Sequence, residues 1–419
     1  MARINDISIT IKKQFKFYKK AVPTFSFDKG AVVYALLIFP FLELDGLWTI
    51  IGKVVRYGWG LLALVLLCIL VFGKCHSIYL DNFNLCFLGY GVVILFSAYL
   101  NGSLSFGMIY SFLIIWIVLQ GLHYHKEIML KGMVYIFIFV ILMNLISMFW
   151  FQEQVYITHL TPISGRFSGI LGGRNAFAPS LIPMGNIVLY YFIKKEKKVE
   201  YKWGYLFLGL SFLSIVSAKS VDAMMTVRSS TGIVMVLVNM VLLLCRNRLK
   251  MPYWLYLGIV LVANIVLAGF YTQIMNSSVV LYILGILHRG NDLSSRTYIW
   301  DNAFSYIKQA PFLGNGRGNS LLVDIRKKQF IYGETHNMFL QILYNGGILS
   351  LLFYAGACVS AVKKGISNKK AEKILFIALV CFLIGGLTES IQDHFLFWIL
   401  LGIMNEDGNN GCDIVKGVL

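Results

Sequence analysis

The sequence predicts an all-α, polytopic integral membrane protein of about twelve transmembrane helices with a large, partly helical extracytoplasmic loop. Three observations predict it. The chain of 419 residues is 58% hydrophobic and only 14% charged, with a mean hydropathy of +0.71, too little polar surface to cover a soluble core of that size. Its apolar residues gather in runs near the ~20 residues a bilayer-spanning helix needs. Seven prolines leave most of those runs unbroken.

The first thirty residues are basic and aromatic (Lys12, Lys13, Lys16, Lys19, Lys20) and lack the apolar core and small-residue site of a cleavable leader. The first span is therefore expected to be a permanent signal anchor. Spans are predicted near 31–47, 57–73, 83–100, 106–122, 130–151, 176–193, 203–219, 228–245, 252–272, 337–362, 374–390 and 394–404, the last short enough to be tilted or re-entrant. They divide the chain into N-terminal helices (1–151), central helices carrying Arg166 and Arg228 (152–272), a large outer loop (273–335), and C-terminal helices with a tail (336–419). No soluble domain or internal repeat is evident.

A net charge of +17 would suggest nucleic acid in a soluble chain. Here the basic residues fall between spans, so membrane lipid rather than nucleic acid is the expected neighbour. The N-terminal segment, Lys194–Lys198, Arg246/Arg248/Lys250 and Lys363–Lys373 share one side and hold most of the 37 Lys and Arg. By the positive-inside rule that side, with both termini, is cytoplasmic. Segments 152–175 and 273–335 then face outward. The seven cysteines form no Cys-x-x-Cys pair and none falls in the outer loop, so neither a disulfide framework nor a zinc site is expected.

Ionisable side chains inside lipid cost ~2.5–3.5 kcal/mol on insertion scales, and the spans are mostly free of them, which argues against a pump or proton-coupled transporter. The exceptions gather near outer span ends: Glu43, Asp45, Arg166, Arg174, Lys219, Asp222, Arg228, Glu389, Asp393 and His394. The outer loop adds His288, Arg289, Arg296, Lys308, Arg317, Arg326–Lys328, Glu334 and His336. So many outward cations would suit an anion-binding site. Arg228 reads either as a snorkelling anchor or as a bidentate phosphate ligand. The glycine-rich stretch Gly165–Asn175 reads either as a phosphate approach or as a flexible turn.

Ser294–Trp300 looks like a capped helix start, with Ile299, Trp300, Ala303, Phe304 and Ile307 at helical spacing, and predicts an amphipathic helix on the outer leaflet. Arg296 lies at its N-terminus, where free amides also favour an anion. Pro311–Gly318 is glycine-rich but lacks the Gly-Lys-Ser/Thr ending of a nucleotide-binding loop, and a tight turn is the preferred reading. His336 opens the next span beside Asn337. A histidine at the rim of an arginine-lined site can accept a proton; standing alone it would be read as interfacial. The other six histidines, His394 among them, are read as interfacial. No spacing suggests a metal, and no cofactor is expected.

In order along residues 160–390, these pieces resemble the O-antigen ligase and polymerase superfamily, which includes the Wzy-type polymerases of O-antigen and capsule. The residues that carry the resemblance are Arg166…Asn175, Arg228, Arg296-x-x-x-Trp300, Pro311-x-x-Gly314-x-Gly316-x-Gly318, His336-Asn337 and Leu387-Thr388-Glu389. Val227-Arg228-Ser229-Ser230 departs from the Ser-Arg-Gly or Ser-Arg-Ala common there. The resemblance implies a membrane-embedded glycosyltransferase fold of the C type in the bacterial inner membrane, acting on its outer face. It also implies a metal-independent transfer between polyprenyl-pyrophosphate-linked oligosaccharides, donor and acceptor alike. Arg228 and Arg296 would grip the donor pyrophosphate, with Arg166 as a third ligand. His336 would act on the acceptor hydroxyl. Asn175, Asn337, Arg317 and Glu389 would be substrate-binding, and chain-length regulators and flippases would be the candidate protein partners.

Three functions compete. The preferred one is a polymerase of O-antigen, capsular or exopolysaccharide repeat units. The alternative is an O-antigen ligase that transfers finished polymer to an acceptor through the same residues. A flippase or other transporter predicts a polar central path and short outer loops, unlike this chain. A non-catalytic lipid-binding scaffold would tolerate the arginines but leaves His336 without a role.

Overall fold

The computed structural model describes residues 28–73, 77–150, 169–195, 200–222, 225–248, 252–269, 277–278, 282, 296–317, 321–324, 329–332, 334–365 and 371–407. The described residues form fourteen α-helices and two short β-hairpins. Each of the twelve predicted spans falls on a helix. Six are long and apolar enough to cross a bilayer, and a bent pair near the N-terminus makes up to seven; the others are shorter. Large apolar side chains such as Val54, Leu62, Val92 and Leu244 face outward, as lipid contact requires. The protein is a polytopic membrane protein.

The first span is not straight. Asp28 caps helix α1 (Lys29–Ile38) by accepting from the amides of Gly30 and Ala31. Pro40 sits in the 3-10 turn Phe39–Phe41 that ends it. After an 88° bend the chain resumes as α2 (Asp45–Ile51). Glu43 and Asp45 therefore lie at an elbow. The elbow rests on the turn at 169–172, where the Leu47 amide donates to Ile170 O at 3.0 Å. Gly46 permits this, since a Cβ there would meet Gly169 O at 2.3 Å.

Helices α3 (Lys53–Phe72), α4 (Asn82–Leu100), α5 (Phe106–Tyr124) and α6 (Lys126–Trp150) follow. Helix α7 (Arg174–Lys194) is the centre of the bundle, buried along most of its length and packed against α6, α8 (Tyr201–Ser217), α9 (Ser230–Cys245), α13 (Glu372–Gly385) and α14 (Phe395–Asp407). Between α8 and α9 runs the hairpin β1 (Lys219–Asp222) and β2 (Met225–Arg228), pairing Lys219 with Arg228. The predicted spans had run helix through both residues. Instead Ser229 caps α9 by accepting from the Gly232 amide at 3.1 Å, so Arg228 lies just outside the helix. Helix α10 (Tyr253–Gly269) precedes the long loop.

Within that loop, α11 (Arg296–Gln309) forms where the apolar spacing predicts it. Its apolar face is used by the protein: Trp300 and Ala303 are fully buried, and Trp300 packs with Leu340 of α12 (Met338–Gly365). A second hairpin, β3 (Leu321–Asp324) with β4 (Gln329–Tyr332), was not foreseen.

Helix α12 is broken at Gly347 (φ 63°). A break inside a membrane bundle leaves backbone groups that must find partners, and the segment 311–316 supplies them. The amides of Asn315 and Gly316 donate to Tyr344 O and Asn345 O, while those of Ile348 and Leu349 donate to Pro311 O and Phe312 O. The left-handed Gly314 and Gly316 (φ 70° and 80°) let the segment press in. Pro311–Gly316 is thus a splint in a broken helix, in line with the tight-turn reading; the amides of Asn315 and Gly316 are committed to carbonyls.

Candidate functional site

A cavity of about 490 Å³ opens at the end of the bundle where α7, α12 and α14 begin. Its wall is formed by the elbow (Glu43, Asp45), Met108 of α5, the start of α7 (Asn175, Ser180), Arg317, Glu334, His336, Gln341 and Asn345, and the connection Glu389–His394. Such a volume lies in the usual range of ligand clefts, about 300–1,000 Å³.

His336 stands at its rim. It is the only non-glycine residue with positive φ (51°) among the described residues, a strained state that persists only where the surroundings impose it. Here they do. The buried Thr335 donates its amide to Gln341 Oε1 at 2.7 Å and accepts Trp300 Nε1 at 2.8 Å. Its hydroxyl donates to Asn337 O at 2.8 Å. On the other side Asn337 caps α12, accepting from the Leu340 amide at 3.0 Å and donating to Leu387 O at 3.0 Å. Clamped on both sides, the His336 ring lies with Nδ1 3.7 Å from Glu389 Oε2, and Nδ1 has no hydrogen-bond partner among the described residues.

Arg317 follows the splint directly and projects to Asp393, at 3.3 Å. Tyr90 donates to the other Asp393 oxygen at 2.7 Å. The Asp393 carboxylate raises the Arg317 guanidinium further above its already high range. This arginine is neutralised by the protein itself.

Opposite lies His394, buried rather than interfacial. Its Nδ1 accepts from the Leu396 amide at 3.3 Å, which leaves the proton on Nε2. That nitrogen is 3.0 Å from Glu43 Oε2 and 3.3 Å from Ser180 Oγ. The elbow carboxylate is thereby tied to the start of α14, more than 340 residues away.

Of the residues singled out from the sequence, the cavity brings together His336, Glu389, Arg317 and Asn175. Asn337 is fully buried and turned into capping, away from the cavity. Arg228 closes β2 and Arg296 opens α11; their side chains, like Arg166, lie outside the described residues. Turn 169–172 is fixed by Asn144 Oδ1 and Ser147 Oγ, which accept from the Leu171 and Ile170 amides, so that part of the glycine-rich stretch is a turn. Sequence reasoning flagged Glu43, Asp45, Glu334, Asp393 and His394 as unusual but gave them no joint role. It missed Ser180, Gln341, Asn345 and Gln392. The signal for two of these was present, since Gln341 and Asn345 stand four apart on one face of an otherwise apolar helix.

Comparison with known proteins agrees with the resemblance. Residues 206–355 match the family described as O-Antigen ligase. An O-antigen ligase of Pseudomonas aeruginosa is 30% identical over 134 residues, which is 30% of this chain and 33% of that protein. The match thus spans about a third of that relative's length. No solved structure matches the chain. The relative's name favours the ligase alternative over the polymerase reading preferred from sequence.

Proposed function

We propose, from the O-antigen ligase family match over residues 206–355, that this protein is a glycosyltransferase of the bacterial inner membrane. In this reading it moves a glycan from a polyprenyl-pyrophosphate donor to the hydroxyl of an acceptor glycan at the outer face. The ligase form is the first reading, with a finished polymer as donor. The observation that carries the proposal is His336, strained and clamped beside Glu389 at the rim of a ligand-sized cavity.

The chemistry follows from that pair. With Nδ1 facing Glu389, Nε2 is left for an incoming acceptor hydroxyl. His336 takes the hydroxyl proton on Nε2 as the oxygen attacks the anomeric carbon of the donor. The Nδ1 proton then faces the Glu389 carboxylate, which steadies the imidazolium. The bond from the anomeric carbon to pyrophosphate breaks, and the lipid pyrophosphate leaves with the electron pair. Guanidiniums at Arg228 and Arg296, with Arg166, would offset its charge. Attack in line inverts the anomeric configuration, which comparison of product and donor linkages tests.

The polymerase reading stays second for a specific reason. The matched stretch ends at 355, while Glu43, Asn175, Ser180 and Glu389–His394 of the cavity wall lie outside it. The match therefore covers Arg317, Glu334, His336, Gln341 and Asn345 of the wall but not the rest of the surface that would meet the acceptor.

The test is a glycan-stained gel and carrier-lipid analysis from a deletion strain complemented with wild type or His336→Ala, with membrane expression verified. A ligase deletion accumulates full-length polymer on its lipid carrier; a polymerase deletion accumulates single repeat units. His336→Ala is expected to lower transfer by about 10²–10⁴-fold. Transfer at the wild-type rate in that variant would remove His336 from the chemistry.

A further inference from the structure

The charge of the cavity is opposite to that expected of a pyrophosphate site. Among the described residues five carboxylates line it, Glu43, Asp45, Glu334, Glu389 and Asp393, against the one guanidinium of Arg317, with Arg56 beside Asp45 at 3.6 Å. The Arg317 guanidinium is already held by Asp393. Glu43 lies 3.0 Å from His394 Nε2 and accepts from the Phe395 amide at 3.2 Å. Desolvation, with the Asp393 and Glu389 charges, raises the Glu334 carboxyl above its ordinary value against the opposing pull of His336 and Arg317.

A second observation is independent of charge. Gln392 lines the cavity, is only 5% exposed, and donates Nε2 to Asp393 Oδ2 at 3.2 Å. That bond fixes which end of the amide is which, because the reverse would set oxygen against oxygen. Its Oε1 then has no partner among the described residues. A buried carbonyl oxygen without a donor is costly unless something supplies one. The wall thus offers carboxylate oxygens and an unsatisfied carbonyl oxygen.

We infer that this cavity is the subsite for the acceptor's terminal sugar, and that it admits a hydroxyl-rich neutral or amine-bearing sugar while excluding a uronate or phosphorylated one. The inference rests on the transfer reading above for the word acceptor, but not for the charge selection. Sugar hydroxyls or an ammonium donate to the carboxylates and to Gln392 Oε1. A carboxylate on the sugar meets like charge across a narrow cleft. A pyrophosphate would meet the same like charge, so the sugar end of the acceptor is the part that suits this wall.

The experiment is saturation-transfer NMR on the full-length protein in nanodiscs with methyl glucoside, methyl glucosaminide and methyl glucuronide. The first two are expected to bind, and the glucuronide at least about tenfold more weakly. In the double variant Asp45→Asn/Glu334→Gln, both positions being solvent-exposed at the rim, that ratio is expected to shrink. The His336→Ala variant is expected to keep it. Equal binding of the glucuronide, or no binding of any of the three, overturns the inference, as does an unchanged ratio in the double variant. Charge-selective binding by a protein that transfers no glycan in the complementation test would instead sink the transfer reading and leave the subsite standing.

Discussion

The two ends of the bundle are both polar, and they are built on opposite terms. At the end away from the cavity, Asp81 caps α4, accepting from the Asn84 amide at 2.9 Å and pairing with Lys364 Nζ at 2.6 Å and Asn405 Nδ2 at 2.8 Å. His123 stacks on Tyr79 and bonds Glu406 at 3.0 Å, while Gln120 spans both backbone groups of Tyr79. This cluster joins α4, α5, α12 and α14; each of its charged members has a partner, and only Asn405 Oδ1 among its described atoms is buried without one. At the cavity end, His336 is strained, its Nδ1 is unbonded, and Gln392 Oε1 has no donor. A network whose charges are all paired holds helices together. One that leaves specific atoms wanting, around a hollow, is set up to hold something else.

The contrast should break in different places for different substitutions. The largest expected effect is at the α12 break, which positions Arg317 through the splint. A Cβ on Gly347 would lie 2.3 Å from Phe312 C and O at a left-handed φ, so Gly347→Ala is expected to cost about 3 kcal/mol or more. Thermal unfolding of the purified protein and loss of membrane-integrated material would report it together. Wild-type melting would mean that the splint is not fixed as described.

Next come two substitutions that ought to separate the ends. Glu389→Gln keeps shape and removes the charge beside His336; transfer should fall about tenfold or more with the melting temperature unchanged. Asp81→Asn should do the reverse, lowering stability by about 1–3 kcal/mol at unaltered specific activity. Burial would raise the Asp81 carboxyl, but the Lys364 ammonium, the Asn84 amide and Asn405 outweigh it and hold it at about 2. A carboxyl depressed by folding stabilises above its unfolded value and loses that contribution as pH falls. The wild-type protein should therefore lose this share of stability between the ordinary value of 3.8 and about 2, and Asp81→Asn should flatten that part of the curve. A pH dependence identical in the two proteins would remove the ion pair from the account.

How much of this was legible in the sequence differs between the same two ends. Apolar runs gave every helix of the bundle, because burial in lipid or in protein asks for the same residues. The helix of the long loop was legible from Trp300 and its spacing, and His336 from its company. The elbow was not, since an 88° bend depends on a glycine turn more than 120 residues later. The acidic wall was equally hidden: Glu43 meets His394 only after folding, and each alone looked like a polar residue near a span end. The hairpin at Lys219–Arg228 was legible only as a break, since the predicted spans end at 219 and resume at 228 and nothing in 220–227 marks a strand pair. Acceptor choice was beyond pattern altogether, as ligase and polymerase ask for the same chemistry at the reacting atoms.

The smallest expected effect tests how the strain at His336 is maintained. Trp300→Phe keeps the packing against Leu340 and deletes only the bond from Nε1 to Thr335 O. One buried hydrogen bond is worth about 1 kcal/mol, so melting should shift slightly. If that bond holds Thr335, and through it the left-handed His336, turnover should drop several-fold while sugar binding in the cavity is unchanged. A variant that loses stability alone would show α11 to be a strut rather than part of the clamp. The strain would then rest on Gln341 and Asn337, which grip the same turn from within α12.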